Sequence, residues 1–262
     1  MAPSRERAQA EIEAGRVLVA GAPAAKAGRL VSGAEPVEVA ASPPRFVSRG
    51  GEKLDGALAR LAVDVAGRSA LDAGASTGGF TDCLLQRGAA RVVAVDVGRG
   101  QFHERLRHDS RVRLLERTNL RHLSPSDVEG PLDVVTADLS FISLRTVAPA
   151  VTGVVGPDGD LVLLVKPQFE AGRAAAARGR GVVRDPALWR EALEHVRTTY
   201  SELGAAMMGA MVSPLLGPAG NAEFFLHLTM RPAADRAVAP ALDLDAALDE
   251  AATMVAAAKG KD

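Results

Sequence analysis

The stretch Ser69-Ala-Leu-Asp-Ala-Gly-Ala-Ser-Thr-Gly-Gly-Phe80 decides the fold of this chain. It begins as an apolar run, its three glycines bracket a Ser-Thr turn, and a helical pattern resumes with Phe80, Leu84 and Leu85. A strand that passes through a glycine turn into a helix lets a ligand approach backbone N–H groups, because glycine has no Cβ to block the approach. The stretch therefore predicts a ligand site where a strand meets a helix.

Strands and helices alternate around this turn. Mostly apolar strands are predicted near residues 70–73, 91–96, 112–115, 132–138 and 160–166. Helices are predicted at 54–61, 79–87, 101–107, 145–154 and 186–203. Continuous apolar runs are typical of parallel strands covered on both faces, and this alternation predicts a doubly wound α/β fold. Two later strands, near 207–213 and 223–229, have only a Pro/Gly-rich segment between them and predict an antiparallel hairpin at the sheet edge.

The first 41 residues form a small unit of their own. A helix over 4–14, a strand over 16–19, a turn over 20–23 and a strand over 37–39 are predicted there. Residues 42–49, which begin Ser-Pro-Pro, are predicted to link this unit to a large domain over 50–232. Residues 233–262 are predicted to form a C-terminal helix, starting near 240, and a tail.

Composition limits the possible functions. The chain has 262 residues, is 47% hydrophobic and has a net charge of −1, so RNA binding would depend on local basic patches. A single cysteine, Cys83, excludes a disulfide framework and a cysteine-based zinc site within one chain, and the histidines lack metal-ligand spacing, so no metal is predicted. Without a signal peptide or a membrane-length apolar run, we expect a soluble cytoplasmic protein, and we identify no obligate protein partner.

Acidic residues at strand ends indicate the class of cofactor. Asp72 opens the glycine turn, Asp96 follows the next strand and suits the hydroxyls of a ribose, and Glu116-Arg-Thr-Asn119 is placed to read an adenine. NAD and S-adenosylmethionine both fit this layout. The glycines depart from G-x-G-x-x-G, which disfavours NAD, and the cationic methyl donor suits nearby acids. The candidate cofactor residues are Asp72, Gly74, Ser76, Thr77, Gly78, Gly79, Phe80, Asp96, Glu116, Asn119 and Asp138.

Six blocks in order carry a resemblance to a known family. They are Leu71–Phe80, Asp96-Val-Gly98, Glu116-Arg-Thr-Asn119, Ala137-Asp-Leu-Ser-Phe-Ile-Ser-Leu144, Val165-Lys-Pro-Gln-Phe-Glu170 and Gly220-Asn-Ala-Glu-Phe-Phe225. Together they resemble the TlyA family of FtsJ-like ribosomal RNA 2′-O-methyltransferases, whose members are also described as haemolysins. The resemblance implies a Rossmann-like, S-adenosylmethionine-dependent domain that acts on cytidine ribose in ribosomal RNA, preceded by an S4-like α/β RNA-binding domain. Because Met1 leaves no room for a helix before residue 4, either the S4-like domain is shortened at its N-terminus or the true start of the protein lies upstream.

The resemblance also implies a catalytic tetrad of Lys53, Asp138, Lys166 and Glu223. A ribose hydroxyl is a poor nucleophile, so its attack on a methyl sulfonium needs its proton removed or its oxygen polarised. A lysine can act as the base only where burial or a neighbouring cation makes it less basic. We expect Lys166 to be that base or polarising cation, Asp138 to orient it, and Lys53 and Glu223 to support them.

Arginine clusters predict the RNA-facing surfaces. The segment 172–184 holds four arginines and no acid and follows Lys166 closely, which suits either a basic flap over the substrate or an ordinary solvated loop. Residues 99–122 hold seven arginines against three acids. The candidate RNA-binding residues are Arg5, Arg7, Arg16, Arg45, Arg49, Arg173, Arg178 and Arg180.

Two other functions stay open at this point. A non-catalytic ribosome-binding or assembly factor would keep the cofactor fold without its activity, and the intact tetrad disfavours this alternative. A pore-forming cytolysin would need membrane-active segments, and the chain has no apolar run of that length. The sequence leaves two targets open, RNA of the large subunit alone or RNA of both subunits.

Overall fold

The computed structural model describes residues 5–13, 16–19, 22–24, 26–28, 30–32, 35–39, 45–170, 181–232 and 244–259. They belong to two compact units, which divide between Arg45 and Phe46. This division falls inside the segment 42–49 that the sequence predicts as a linker. Each unit is built around apolar residues of its own.

The first unit combines one helix with a small antiparallel sheet. Its elements are α1 (Arg5–Glu13), β1 (Val17–Val19), β2 (Ala22–Pro23) and β3 (Val37–Val39). The strand order is β2-β1-β3, so β1 is central. The predicted turn over 20–23 is wrong at its second half, because Ala22 and Pro23 pair with β1. A proline is tolerated in β2 because it is an edge strand.

A seven-stranded sheet organises the second unit. Its strands are β4 (Ser69–Ala73), β5 (Arg91–Val95), β6 (Val112–Leu115), β7 (Leu132–Ala137), β8 (Val155–Val165), β9 (Ala206–Val212) and β10 (Phe224–Thr229). They lie in the order β6-β5-β4-β7-β8-β10-β9. The first five are parallel, and β10 pairs antiparallel with both β8 and β9. The predicted doubly wound fold and terminal hairpin are confirmed, with β10 inserted between β8 and β9.

Helices cover both faces of this sheet. They are α2 (Arg49–Arg60), α3 (Gly79–Gln86), α4 (Glu104–Arg107), α5 (Leu144–Val154), α6 (Pro167–Glu170), α7 (Pro186–Glu202) and α8 (Leu244–Lys259), with a 3₁₀ turn at Leu120–His122. One apolar core forms where α2 and α3 pack on the sheet, and another where α5, α7 and α8 pack on it. Buried strands between two helical layers explain the continuous apolar runs in the sequence.

Some predicted element bounds differ from those observed. Helix α2 begins at Arg49, five residues before the apolar pattern becomes visible, so Lys53 lies on a helix and not in the preceding loop. Helix α4 is shorter than the predicted 101–107 because the His103 side chain caps its N-terminus. Within the described ranges, no helix is both long enough and apolar enough to cross a bilayer.

Candidate active site

The register of the strands brings the predicted site residues to one edge of the sheet. The last residues of β4, β5 and β7 lie in register, so the residues that follow them, Gly74, Asp96 and Asp138, leave the sheet at the same level. Strand β10 runs in the opposite direction, and its first residue, Phe224, pairs with the last residue of β8. Glu223, which precedes β10, and Lys166, which follows β8, therefore meet at this edge as well.

The glycines of the turn are required by contacts within the protein. Gly74 has a φ of +88°, and a Cβ on it would lie 2.5 Å from the backbone oxygen of Asp138. A Cβ on Gly79 would lie 2.2 Å from Oγ of Ser48. Gly74 thus allows the loop after β7 to approach the turn, and Gly79 allows α2 to approach α3. The backbone N–H of Gly74 donates to the backbone oxygen of Val95, so it is already hydrogen-bonded within the protein.

A first cavity, cavity A, contains the predicted tetrad and has a volume of about 390 Å³. Nζ of Lys53 lies 2.6 Å from the carboxylate of Glu223, and both side chains are buried. Nζ of Lys166 lies 2.5 Å from Asp138 and donates to Oγ of Ser140 at 3.1 Å. The described residues that line cavity A are Ser48, Arg49, Gly50, Lys53, Gly74, Ala75, Ser76, Thr77, Gly79, Phe80, Asp138, Ser140, Lys166, Pro218 and Glu223.

The tetrad is therefore two ion pairs facing one space. Burying an unpaired ammonium or carboxylate costs several kcal/mol, and pairing offsets much of that cost. The two pairs keep positive and negative groups side by side at the cavity wall. In such an arrangement an ammonium can donate a hydrogen bond to a bound hydroxyl oxygen, and the neighbouring carboxylate can accept the hydroxyl proton.

A second cavity, cavity B, adjoins the first and has a volume of about 540 Å³. Asp96 lies at its wall and accepts hydrogen bonds from the backbone N–H groups of Ser76, at 2.7 Å, and Gly98, at 2.6 Å. A carboxylate has further lone pairs for ligand hydroxyls. The described residues that line cavity B are Gly74, Ser76, Asp96, Val97, Gln101, Thr118, Asn119, Leu120, Arg121, Asp138, Leu139, Ser140, Phe141 and Ile142.

Asp72 is not at the surface of either cavity. Its side chain is fully buried, and one oxygen accepts hydrogen bonds from both the backbone N–H and the hydroxyl of Thr81, at 2.9 and 2.6 Å. Burial raises the pKa of Asp72 to about 7, and the hydrogen bonds from Thr81 oppose the shift. The structure places Asp72 beneath the turn, where it anchors the start of α3, and its contact with a cofactor stays a prediction.

Glu116 and Gly78 are also placed differently from the prediction. The Glu116 carboxylate accepts hydrogen bonds from Arg107, at 2.9 Å, and from the backbone of Gly100, at 2.7 Å, and the bond from Arg107 lowers the pKa of Glu116. Gly78 packs so closely against Leu106 that a Cβ would lie 2.5 Å from its side chain. Both lie outside the set of described residues that line the two cavities, and both hold the surrounding loops in place.

The loop after β7 holds residues that sequence reasoning missed. Ser140 lines both cavities and receives the hydrogen bond from Lys166. Phe141 is 92% exposed and has a φ of +66°, which is unusual for a bulky residue. Its ring centroid lies 5.3 Å from that of Phe169. The available signal was an aromatic residue three positions after Asp138, in a loop that begins at a strand end.

Arg45 and Arg49 lie near the boundary between the units in the sequence. Arg45 is exposed. Arg49 is exposed at the start of α2, lines cavity A and donates to the backbone oxygen of Leu216 at 3.1 Å. Arg49 is thus a predicted RNA-binding residue of the second unit that lines the cavity of the tetrad.

The other predicted RNA-binding arginines are described only in part. Arg5 is exposed on α1, and Arg16 forms an ion pair with Glu11. The side chain of Arg7 lies outside the described residues, and so do the arginines of the predicted flap, Arg173, Arg178 and Arg180. The predicted basic flap falls mostly on these residues and stays a prediction. In the described part of the chain, no three His, Cys, Asp or Glu side chains are grouped as a metal site would require.

Comparison with known proteins identifies the relatives of the chain. The model of the FtsJ-like methyltransferase family matches residues 46–230. The chain is 51% identical to the 16S/23S rRNA (cytidine-2′-O)-methyltransferase TlyA of Mycobacterium tuberculosis, over 91% of its own length and 88% of that protein. It is 32% identical to the 23S rRNA (cytidine-2′-O)-methyltransferase TlyA of Campylobacter jejuni, over 70% of each chain.

A solved structure agrees with the sequence comparison. A protein assigned as a hemolysin, from Streptococcus thermophilus, superposes with a TM-score of 0.75 at 36% sequence identity. The alignment covers 98% of this chain and 93% of that protein. The match to the family model begins at the boundary between the two units and ends one residue after β10.

Proposed function

Since the chain belongs to the FtsJ-like methyltransferase family and is homologous to TlyA enzymes, we propose that it methylates the 2′-hydroxyl of cytidine in ribosomal RNA, with S-adenosylmethionine as the methyl donor. The observation that carries the proposal is the pair of ion pairs in cavity A, Lys53 with Glu223 and Lys166 with Asp138. The M. tuberculosis relative is named for both ribosomal RNAs. At 51% identity to that relative, we propose RNA of both subunits as the substrate.

The cavities fit the proposed methyl donor. Cavities A and B share Gly74, Ser76, Asp138 and Ser140, so one elongated ligand can occupy both. The carboxylates of Asp96 and Asp138 line the space, which suits a ligand with cationic amino and sulfonium groups better than the pyrophosphate of NAD. When bound, the donor supplies an electrophilic methyl group. Asp96 would hold the ribose end, and Asn119 lies in the wall near it.

Lys166 is the residue that we assign to the acceptor hydroxyl. Its ammonium can donate a hydrogen bond to the 2′-oxygen and so make the hydroxyl more acidic. Asp138 orients the ammonium and lies close enough to accept the proton that the hydroxyl releases. Lys53 and Glu223 add a second, mutually neutral pair in the same cavity. The hydrogen bond from Lys166 to Ser140 fixes the direction of the side chain further.

The proposed RNA surface combines exposed arginines with an exposed aromatic residue. Phe141 offers a free ring face at the rim of cavity B, and unpaired bases commonly stack on such rings. Arg49 borders cavity A, and the exposed Arg121 lines cavity B. Arg117 is exposed and precedes Thr118, which also lines cavity B. We propose that the first unit, with Arg5 exposed on α1, acts as an S4-like RNA-binding domain. A ribosomal substrate implies action in the cytoplasm.

Labelled methyl transfer tests this function. The full chain is incubated with methyl-labelled S-adenosylmethionine and isolated small subunits, large subunits or whole ribosomes. We expect label in the ribose of cytidine in RNA of both subunits. Lys166→Ala should lower the rate by about 10²- to 10⁴-fold, as loss of general acid–base catalysis does, while affinity for S-adenosylhomocysteine stays within about threefold.

Arg197→Ala is the matched control, because Arg197 lies on α7 and pairs with Glu194 away from both cavities. Its rate should equal that of the wild-type protein. Absence of label from every RNA would exclude the function and favour a non-catalytic ribosome-binding protein. A near-normal rate for Lys166→Ala would refute the assignment of that residue alone.

A further inference from the structure

A third cavity, cavity C, opens on the tetrad from the side of α6 and has a volume of about 360 Å³. It shares Lys166, Glu223, Ser140 and Pro218 with cavity A. The other described residues that line it are Gln168, Phe169, Gly181, Gly217, Ala219 and Asn221. None of these described residues belongs to the glycine turn, so Lys166 faces a second space distinct from the proposed methyl-donor site.

Gln168 lines this cavity, and its side chain carries an unused hydrogen-bonding group. Its carboxamide oxygen, Oε1, is buried and has no hydrogen-bond partner among the described residues. An unsatisfied buried acceptor costs about 1–3 kcal/mol, so folded proteins rarely retain one without a reason. A ligand that brings a donor to this oxygen would remove that cost.

The walls of cavity C are held rigidly. The Asn221 carboxamide accepts from the backbone of Val183 at 2.9 Å and donates to the backbone of Gly181 at 2.9 Å. Gly217 lies against Glu223 so closely that a Cβ would be 2.5 Å from its carboxylate. A cavity with fixed walls loses little conformational entropy when a ligand enters.

The position of Gln168 itself is also fixed. Two residues later, Glu170 accepts hydrogen bonds from the hydroxyl of Ser143, at 2.5 Å, and from the backbone of Leu144, at 2.7 Å. The backbone of Phe169 donates to Lys166 at 2.9 Å. These bonds tie α6 to the start of α5, so Gln168 is held at a set distance from the catalytic Lys166.

We infer that cavity C receives the base of the target nucleotide and that Gln168 reads its hydrogen-bonding edge. This inference rests on the proposed function. The ribose would lie at Lys166 while the base lies beside Phe169 and Gln168. Cytosine fits the amide as a bidentate partner, because its exocyclic amino group can donate to Oε1 and its N3 can accept from the amide nitrogen.

Uracil presents the opposite pattern of donor and acceptor at the same two positions. Its carbonyl oxygen would meet Oε1 unless the amide rotated by half a turn. In the amide orientation that the structure shows, Gln168 is therefore a specificity-determining residue for cytidine. A good bidentate pair discriminates by about 1–3 kcal/mol, which corresponds to roughly 5- to 150-fold in affinity.

Binding of free nucleotides tests the inference without the methyl-transfer step. The full chain, saturated with S-adenosylhomocysteine, is titrated with cytidine monophosphate and with uridine monophosphate, and binding is followed by NMR. We expect the cytidine nucleotide to bind at least fivefold more tightly. Gln168→Leu should remove the difference by weakening the cytidine nucleotide at least fivefold, and Gln168→Glu, which keeps the shape of the side chain, should do the same.

Gln86→Leu serves as the matched control, since Gln86 is exposed on α3 outside the three cavities. Its affinities should match those of the wild-type chain, and equal thermal unfolding of all variants shows that folding is intact. Equal binding of the two nucleotides by the wild-type chain, no binding of either, or unchanged discrimination in both Gln168 variants would overturn the inference. Nucleotide discrimination with no label in RNA would instead reject the proposed methyl transfer and leave this base site standing.

Discussion

At the scale of single residues, charge pairing explains why four ionisable groups persist at one cavity. Lys53 and Lys166 are both nearly buried, and each lies against a carboxylate. Removing one member of such a pair leaves an uncompensated charge, which typically destabilises a protein by several kcal/mol. The same pairing holds each ammonium in a defined direction. Stability and the proposed chemistry therefore depend on the same contacts.

Asp72 makes the stability of the protein depend on pH between about 4 and 7. The folded protein retains a proton on this carboxyl up to a pKa of about 7, whereas the unfolded chain releases it near 3.8. Because the folded state binds more protons in this range, the free energy of unfolding falls as pH rises, by on the order of 4 kcal/mol. Asp72→Asn should abolish this slope, as measured by urea unfolding from pH 5 to pH 8.

Asp127→Asn is the control for this measurement. The hydrogen bonds from Ser124 lower the pKa of Asp127, so its titration lies below the range studied. Its curve should run parallel to that of the wild-type protein above pH 5. If Asp72→Asn keeps the wild-type slope, Asp72 is not the group that titrates.

At the scale of secondary structure elements, the close approach of α2 and α3 shapes cavity A. Gly79, at the start of α3, contacts Ser48 and the backbone of Gly51 at the start of α2. Asp82 on α3 reinforces the approach by accepting a hydrogen bond from the backbone of Val47 at 2.9 Å. Residues from the beginnings of both helices line the cavity. The position of Lys53, one turn into α2, depends on this packing.

Gly79→Ala should separate these helices. The added Cβ would lie 2.2 Å from Ser48 and 3.0 Å from the backbone nitrogen of Gly51, so the helices must shift. We expect a loss of about 1–3 kcal/mol in the free energy of unfolding, as in other overpacked sites, together with weaker binding of S-adenosylhomocysteine. Urea unfolding and calorimetric titration measure the two effects.

Gly153→Ala is the matched control on a helix with free space. Apart from the helix itself, no atom of the described residues lies within 4 Å of a Cβ built on Gly153, in α5. Alanine favours the helix over glycine by about 0.5–1 kcal/mol, so this variant should be slightly more stable than the wild-type protein. Equal effects of the two substitutions would show that steric contact at Gly79 is not the cause.

At the scale of the whole second unit, the two ends of the sheet have different roles. The carboxyl ends of the parallel strands form the candidate active site, whereas the opposite edge is held together by a charge network around Asp160. This buried carboxylate contacts His227 at 3.0 Å, Arg68 at 2.8 Å and Arg231 at 3.0 Å. The network joins β8 and β10 to the segment that enters β4. The candidate active site and the Asp160 network thus lie at opposite ends of the strands.

The Asp160 network should stabilise the protein above pH 4 and fail in acid. Burial alone would raise the pKa of Asp160, but the hydrogen bonds from His227 and Arg68 outweigh it and lower the pKa. The resulting stability is present above the unfolded value of 3.8 and is lost as pH falls through the folded value. Asp160→Asn should cost about 3 kcal/mol at pH 7, and the deficit should shrink toward pH 3, as measured by urea unfolding.

Asp158→Asn provides the comparison, because Asp158 is an exposed neighbour whose contact with Arg231 uses its backbone oxygen. Its free energy of unfolding should stay near the wild-type value at both pH values. A deficit of Asp160→Asn that is the same at pH 7 and pH 3 would contradict the proposed ionic contribution. Methyl transfer by Asp160→Asn, measured where the variant is folded, should be normal.

The sequence by itself determined the kinds of element and their order. Apolar runs and glycine turns are local signals, so the parallel strands and the late hairpin could be predicted without the structure. The positions of acids and lysines at strand ends are likewise written in the chain, since the end of a strand fixes the edge at which the next residue emerges. Family resemblance added the tetrad residues, which the register of the sheet then brings together.

Only the tertiary structure decided which groups meet. Lys53 pairs with Glu223, which is 170 residues away in the sequence. Asp72 is fully buried beneath the turn, and Glu116 forms an ion pair with Arg107. Each outcome depends on strand register and side-chain direction, which local sequence signals do not specify. The same holds for Gln168, whose oxygen has no hydrogen-bond partner among the described residues and which lines a cavity together with residues distant in the sequence.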